Sequence, residues 1–189
     1  LVGSEMCIRD SNRICGGKTK LVIRKETTKD HTEVYQLIKE AFETAEHTDG
    51  SEQDLVCALR KSDAFIADLS LVAEISGEIA GHILFTKARV GNAEVVALAP
   101  LSVKPVYQRQ GVGTALIKEG HRIAKELGYQ YSLVLGSELY YPRMGYRPAN
   151  QLGAELPLGI PDQNFMIAKL RNDAKPIRGP VAYAKEFGL

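Results

Sequence analysis

The sequence predicts an α/β (α+β) domain in which a central sheet carries helices on its faces. A chain of 189 residues has the size of one domain and is long enough to bury a sizeable core. Its hydrophobic fraction of 44% and charged fraction of 25% are those of an ordinary globular protein. Strand and helix patterns follow one another in the order β-α-α-β-β-β-α-β, which favours a sheet flanked by helices.

The first half of the pattern is a short strand followed by two helices. Residues 21–24 are predicted as a short strand because positions 21–23 are apolar and include β-branched residues, and Asp30 can cap the helix that follows. One face of that helix is formed by apolar residues at helical spacing, namely Val34, Leu37, Ile38, Ala41, Phe42 and Ala45. Residues 48–50 break the helix, and Ser51 opens the second one.

Three strands then form a meander, predicted over residues 69–75, 78–90 and 93–103. They are separated by Ser76-Gly77 and Gly91-Asn92, which are typical turn dipeptides. Pro100 interrupts the third of these strands. Because proline cannot donate a hydrogen bond to a ladder, we expect a bulge or an edge there.

The remaining elements are one helix and several strands. The helix is predicted over residues 111–127 and ends at Gly128, which is typical of a C-terminal cap. Strands are expected over 129–135 and 164–170, with a short helical turn and final strands beyond the first of them. The last segment, 173–189, is expected either to pack on the sheet or to mediate association, such as a homodimer.

Charge and cysteine content exclude several classes of protein. The formal net charge of +1 argues against broad nucleic-acid binding, and no apolar run approaches the roughly 20 residues of a membrane helix. Cys7, Cys15 and Cys57 fit no zinc pattern, and no two histidines share metal-ligand spacing. We therefore expect a cytoplasmic protein with no metal and no membrane or nucleic-acid partner.

The first twenty residues differ in character from the rest. Residues 1–20 have no hydrophobic periodicity, which is typical of a disordered tail. Residues 1–11 can also be back-translated into a sequence that resembles a transposon-type library adapter. Gly16-Gly17-Lys18 is compatible with a bacterial ribosome-binding site upstream of a TTG codon for Leu21. We expect a non-native or disordered leader over 1–20, followed by a single domain of bacterial origin over 21–189.

A glycine-containing loop between the third meander strand and the next helix carries the main chemical signal. The string reads Val103-x-Pro105-x-x-Gln108-x-x-Gly111-x-Gly113. Glycines let a backbone approach a ligand closely, and successive N–H groups at a helix start attract phosphate oxygens. Taken alone, the two glycines also fit a plain strand–turn–helix junction.

The whole string resembles motif A of the GNAT superfamily of N-acetyltransferases. The resemblance implies a mixed, mostly antiparallel sheet of six or seven strands, with helices on both faces and strands splayed at the acetyl-CoA site. It further implies that acetyl-CoA is the cosubstrate. The residues expected to bind it are Leu101, Ser102, Val103, Gln108, Arg109, Gln110, Gly111, Val112, Gly113 and Thr114. Among these, the loop would hold the pyrophosphate, and the backbone of the strand would hold the pantetheine.

A second string resembles the Tyr-x-x-x-Gly-Phe/Tyr signature of the same family. Tyr141 stands at its tyrosine position, and Gly145-Tyr146 opens the next strand. The tandem tyrosine looks most like the YhbS-like branch of predicted acetyltransferases. The family places the hydroxyl of this tyrosine near the thioester sulfur, whereas simple packing at a sheet edge suits Tyr140.

The resemblance implies direct attack of an amine on the thioester, with Tyr141 as general acid and the N–H of Val103 on the carbonyl oxygen. In the histone-acetylating branch the strand carries a glutamate base, but Leu98 stands at that position here. Glu138 is a candidate for the base, and the alternative is that it is a solvated turn residue. Of the histidines, His121 is expected on an exposed helix face, and His47 near the acidic run is the one worth testing.

The acceptor is expected to be a small-molecule or peptide amine. In this family the segment of the first two helices borders the acceptor site. Here that segment carries Glu40, Glu43, Glu46, Asp49, Glu52 and Asp54. These carboxylates could attract a cation, or they could form an ordinary solvated face. Two rival functions stay open: a catalytically silent acyl-CoA-binding or sensor domain, and a protein lysine or N-terminal acetyltransferase.

Overall fold

A nine-stranded sheet is the frame of the molecule, and seven of its strands follow the order β1-β2-β3-β4-β5-β8-β6. The structure is a computed structural model that describes residues 20–43, 50–156 and 159–188. The strands are β1 (Leu21–Lys25), β2 (Phe65–Ile75), β3 (Glu78–Val90), β4 (Ala93–Val103), β5 (Tyr131–Leu135), β6 (Tyr146–Pro148), β7 (Ala154–Glu155), β8 (Phe165–Lys169) and β9 (Gly179–Ala182). The helices are α1 (His31–Phe42), α2 (Glu52–Leu59) and α3 (Val112–Glu126).

The predicted fold class is confirmed, because the sheet is mostly antiparallel and helices cover both of its faces. Along the seven-stranded path the β4–β5 pair is parallel, and the other described pairs are antiparallel. Strands β3 and β4 have the predicted boundaries, since positive φ angles at Ser76, Gly77 and Gly91 build the turns that delimit them. The predicted leader, apart from Lys20, and residues 44–49 lie outside the described residues.

Helix α3 packs closely on the face of the sheet that carries Ile83, Phe85 and Val96. Two glycines permit this approach. A Cβ on Gly81 in β3 would lie 3.1 Å from side-chain atoms of α3, and a Cβ on Gly120 in α3 would lie 2.2 Å from the ring of Phe85. Glycine at these positions therefore brings the start of α3 close to the end of β4.

Helices α1 and α2 cover the opposite face, together with the C-terminal segment. Val34, Leu37 and Val56 contribute to the core on this side, and Phe187 packs against it. Strand β9 pairs with the end of β3, so the C-terminal segment packs on the sheet, which was one of its two expected roles. In the described part of the chain, no helix is long and apolar enough to cross a membrane.

A charged pair is buried at the edge of this second core. Glu26 accepts hydrogen bonds from Arg60 and from Ser70 (2.5 Å), and the side chains of Glu26 and Arg60 are 2% and 7% exposed. Nε2 of the fully buried His82 lies 3.8 Å from the same carboxylate. Burial would raise the pKa of Glu26, but the nearby His82 and the hydrogen bonds from Ser70 and Arg60 lower it to about 2.

The start of α1 differs in detail from the predicted cap. Asp30 occupies the N-cap position, but its side chain makes no cap hydrogen bond. Its carboxylate instead accepts hydrogen bonds from the Arg24 guanidinium and from the backbone N–H of Thr27 (2.7 Å). These contacts tie the first strand to the start of the first helix, because the Arg24 guanidinium binds both oxygens of the Asp30 carboxylate.

Candidate active site

A gap between β4 and β5 is the central feature of the site. The two strands pair in parallel only where Val96–Leu98 faces Ser132–Val134. Strand β4 continues to Val103 without β5 beside it, so its backbone is left open on that edge. The bulge expected at Pro100 is present, because the β3–β4 register shifts between the pairs that flank this residue. It lies where β4 leaves β5.

The open edge presents two N–H groups of β4. Lys104 donates its N–H to the carbonyl of Ala80, 2.9 Å away on β3. In an antiparallel ladder, inward and outward groups alternate along each strand. The N–H and C=O groups of Leu101 and Val103 therefore point away from β3, toward the gap. Ser102 differs, because its backbone faces His82 on β3 and its buried side chain lies on the α1 face.

The loop between β4 and α3 and the first turn of α3 provide a second set of backbone N–H groups. Arg109 and Gly111 have φ angles of 60° and 87°, and Gly111 is the N-cap of α3. Left-handed conformations at these two positions, with only Gln110 between them, turn successive backbone amides toward a common side. The first N–H groups of α3 also have no hydrogen-bond partner within the helix. Gln108 fixes this loop, since its side-chain amide donates to the carbonyl of Val103 (3.1 Å). Arg109, Gln110 and Gly111 are exposed.

Tyr141 lies at the other side of the gap, in the short helix Tyr141–Met144 that follows β5. Its ring packs edge-on against Tyr140 and Tyr146, with centroid distances of 5.2 and 5.6 Å. A Cβ on Gly136 would lie 2.5 Å from the Tyr141 ring, so this glycine provides the space for it. Burial raises the pKa of Tyr141, and within the described chain its hydroxyl has no hydrogen-bond partner.

The side chain of Tyr140 points in a different direction from that of Tyr141. It reaches across to the first turn of α3, where a Cβ on Gly113 would lie 2.7 Å from its Oη. The same point is 3.4 Å from a methyl group of Leu101 and 3.6 Å from one of Val103. Tyr140, which was expected only to pack at a sheet edge, therefore borders the gap. No sequence signal could have shown this, since the directions of adjacent loop residues depend on the fold.

A polar network lies beneath the two tyrosines. Nε2 of His121 on α3 is 2.9 Å from the hydroxyl of Tyr146, which is 2.7 Å from Oγ of Ser132 on β5. The expectation that His121 is exposed is wrong, because its ring packs between Tyr146 and Phe85. Burial lowers its pKa to about 4. The histidine is thus neutral at pH 7 and joins three elements around the site.

The candidate bases are poorly enclosed or absent. Leu98 is 4% exposed and belongs to the core, so no carboxylate stands at the position of the family's glutamate. Glu138 is an exposed residue of the loop after β5, and its carboxylate accepts a hydrogen bond from Asn164 (2.8 Å). Asn164 also donates to the carbonyl of Gly136 (3.2 Å), which fixes Glu138 near the Tyr141 loop.

Part of the acidic run lines a cleft between α2 and the C-terminal segment. The cleft has a volume of about 590 Å³ and is lined by Ser51, Glu52, Asp54, Leu55, Ala58, Glu186 and Phe187. Glu46, Asp49 and His47 lie outside the described residues. Among the residues that are described, no group of three or more His, Cys, Asp or Glu side chains could hold a metal ion.

Comparison with known proteins agrees with this architecture. The sequence profile of the acetyltransferase (GNAT) family matches residues 31–146. Over 118 residues the chain is 40% identical to the uncharacterized N-acetyltransferase YjhQ of Escherichia coli K12, an alignment that covers 60% of this chain and 65% of YjhQ. It is 29% identical over 171 residues to the uncharacterized N-acetyltransferase YhbS of the same organism, covering 88% of this chain and 98% of YhbS.

Two solved structures resemble the chain along most of its length. The crystal structure of Escherichia coli YhbS in complex with CoA matches with a TM-score of 0.82 and 26% identity, over 94% of this chain and 97% of that one. A GNAT-family acetyltransferase from Brucella melitensis in complex with acetyl-CoA matches with a TM-score of 0.73 and 32% identity, over 88% and 97% of the two chains. The protein belongs to the acetyltransferase (GNAT) family.

Proposed function

We propose that the protein is an acetyl-CoA-dependent N-acetyltransferase that moves the acetyl group to a primary amine by direct attack in a ternary complex. The observation that carries this proposal is the gap between β4 and β5, which opens beside the first turn of α3. On one side of the gap, the N–H groups of Leu101 and Val103 point away from β3. At the start of α3, the backbone amides that follow Arg109 border the same gap. A thioester with a diphosphate tail has groups that complement both sets.

The residues present fit coenzyme A as a ligand. The amides from Arg109 to Thr114 lie at the start of α3, beside the exposed residues Arg109, Gln110 and Gly111, which suits the negative charge of a diphosphate. The outward N–H and C=O groups of Leu101 can pair with an amide of the pantetheine arm, much as a further strand would, and the N–H of Val103 is then left for the thioester. The CoA and acetyl-CoA complexes of the two related structures support this assignment.

The reaction needs an oxyanion donor and a partner for the departing sulfur. The neutral amine attacks the thioester carbonyl, and the N–H of Val103 donates a hydrogen bond to the oxygen as it becomes negative. The C–S bond then breaks, which yields the amide and the CoA thiolate. Tyr141 donates a hydrogen bond to this sulfur. Since burial raises the pKa of Tyr141, the phenol keeps its own proton more firmly than a free tyrosine would.

The proton lost by the amine needs an acceptor outside the gap. Glu138 is the carboxylate that lies on the same loop as Tyr141, and Asn164 holds it in place. We assign it the role of base, reached directly or through water, with the thiolate as the final proton acceptor. The carboxylates of the cleft beside α2 would attract a cationic amine to that part of the surface.

The decisive experiment measures binding and turnover separately. CoA binding is titrated by calorimetry, and thiol release from acetyl-CoA is followed with a panel of small amines and peptides. Tyr141→Phe should lower kcat by about 10- to 100-fold and leave the Kd of CoA unchanged, because the lost hydrogen bond acts on the leaving group. Unchanged turnover in Tyr141→Phe would refute the role of Tyr141. CoA binding without turnover on any acceptor would favour a silent sensor domain.

A further inference from the structure

The hydroxyl of Tyr140 is a polar group that the mechanism above does not use. It lies against Gly113, the second glycine of the loop, at the first turn of α3. The side chain is half-buried, and Tyr140, Leu101 and Val103 all pack against the same core cluster. The side chain of Tyr140 therefore extends from the loop after β5 to the first turn of α3, on the other side of the gap.

The position of the Tyr140 ring is well supported by its neighbours. Its ring meets that of Tyr141 at an angle of 79°, and its backbone N–H donates to the carbonyl of Ser137 (3.2 Å). The glycine at 113 leaves room for this approach, because a Cβ there would lie 2.7 Å from the Tyr140 hydroxyl and would displace it. Packing alone would be served equally well by phenylalanine, so the hydroxyl calls for a separate explanation.

The hydroxyl has no hydrogen-bond partner among the described residues, although it lies in a partly enclosed place. The neighbouring polar groups are the amides at the start of α3, and these are also donors that lack a partner within the helix. A phenol O–H and helix N-terminal N–H groups are satisfied together by an anionic oxygen. An acceptor bound at this point would therefore complete both sets of donors.

We propose that Tyr140 is a cofactor-recognition residue whose hydroxyl donates a hydrogen bond to the CoA phosphate that adjoins the pantetheine arm. This inference rests on the proposed function, since it assumes that CoA occupies the gap. It assigns different tasks to two adjacent tyrosines. Tyr140 holds the donor substrate in both ground and transition states, whereas Tyr141 acts on the sulfur as it departs.

The test is a Tyr140→Phe variant, which removes the hydroxyl and keeps the ring. The Kd of CoA, measured by calorimetry, should rise about tenfold, as expected for one hydrogen bond to a charged acceptor. The affinity of pantetheine, which has no phosphate, is measured by its competition with CoA and should stay within twofold. In turnover assays KM for acetyl-CoA should rise while kcat at saturation is retained, because uniform binding is lost.

Tyr35→Phe provides the matched control, since this tyrosine lies on α1 and its hydroxyl contacts Asp54 away from the gap. It should bind CoA as the unmodified protein does. An unchanged Kd of CoA in Tyr140→Phe would overturn the inference, and equal losses for CoA and pantetheine would overturn the phosphate contact. Failure of the unmodified protein to bind CoA would instead refute the proposed function, so the two failures are distinguishable.

Discussion

Protonation of His121 is expected to destabilise the fold, because the half-buried imidazole packs between Phe85 and Tyr146. His121→Gln is the informative substitution. Glutamine retains an amide that can reach the hydroxyl of Tyr146, but it does not titrate. The variant therefore separates the charge on this residue from the hydrogen bond that it makes.

The size and sign of the effect follow from the pKa difference between the two states. Burial lowers the pKa of His121 to about 4 in the folded protein, against about 6.5 in an unfolded chain. A lowered folded-state pKa gives stability that is complete above pH 6.5 and is lost as pH falls toward 4. Linkage then gives a loss of about 2 kcal/mol between pH 7.5 and pH 5 from this residue.

Urea unfolding of the unmodified protein and of the His121→Gln variant at pH 7.5, 6 and 5 measures the contribution of His121 to the free energy of unfolding. The free energy of unfolding should be similar at pH 7.5, and at pH 5 the unmodified protein should have lost about 2 kcal/mol more than the His121→Gln variant. The fully buried His82 titrates in both proteins, so its contribution cancels in the comparison. Parallel pH curves for the two proteins would refute the lowered pKa of His121.

Three further substitutions test positions that support the site and the fold. Gly136→Ala would put a Cβ 2.5 Å from the Tyr141 ring, and kcat should fall by up to about 100-fold with the Kd of CoA retained. Arg60→Met should lower the free energy of unfolding, measured in urea, by about 3–5 kcal/mol, because the Glu26 carboxylate is then buried without its charged partner. Adding Glu26→Leu should restore most of this free energy. Gly91→Ala, with φ of 56° and a carbonyl oxygen 2.2 Å from the new Cβ, should cost about 2 kcal/mol in urea.

Elements with strong local signals could be predicted closely from the sequence. Strands β3 and β4 match because turn dipeptides with positive φ delimit them, and the helix after the loop begins next to Gly111 as expected. The fold class and the parting of two strands came from the family resemblance. Local periodicity alone would not have paired β4 with β5, since that pairing joins segments separated by a helix.

Features that depend on tertiary contact could not be read in this way. Strands β6, β7 and β9 have two to four residues each, and their pairing with longer strands defines them. His121 was expected at the surface because a polar residue on a helix usually faces water. The adjacent Gly120 brings α3 so close to Phe85 that this side chain is covered. The direction of Tyr140 likewise depends on the start of α3, which lies far away in sequence.

The parallel pairing of β4 and β5 explains why the functional groups meet where they do. Two parallel strands direct their carboxyl ends to the same edge of a sheet, and a crossover helix must connect them. The loop before α3 and the tyrosine loop after β5 therefore emerge side by side, although residues 111 and 141 lie far apart in the chain. The gap opens just beyond Leu98 and Val134, where the pairing ends. Had β5 joined β4 in the antiparallel sense, its loop would have left from the opposite edge, and Tyr140 could not have reached Gly113.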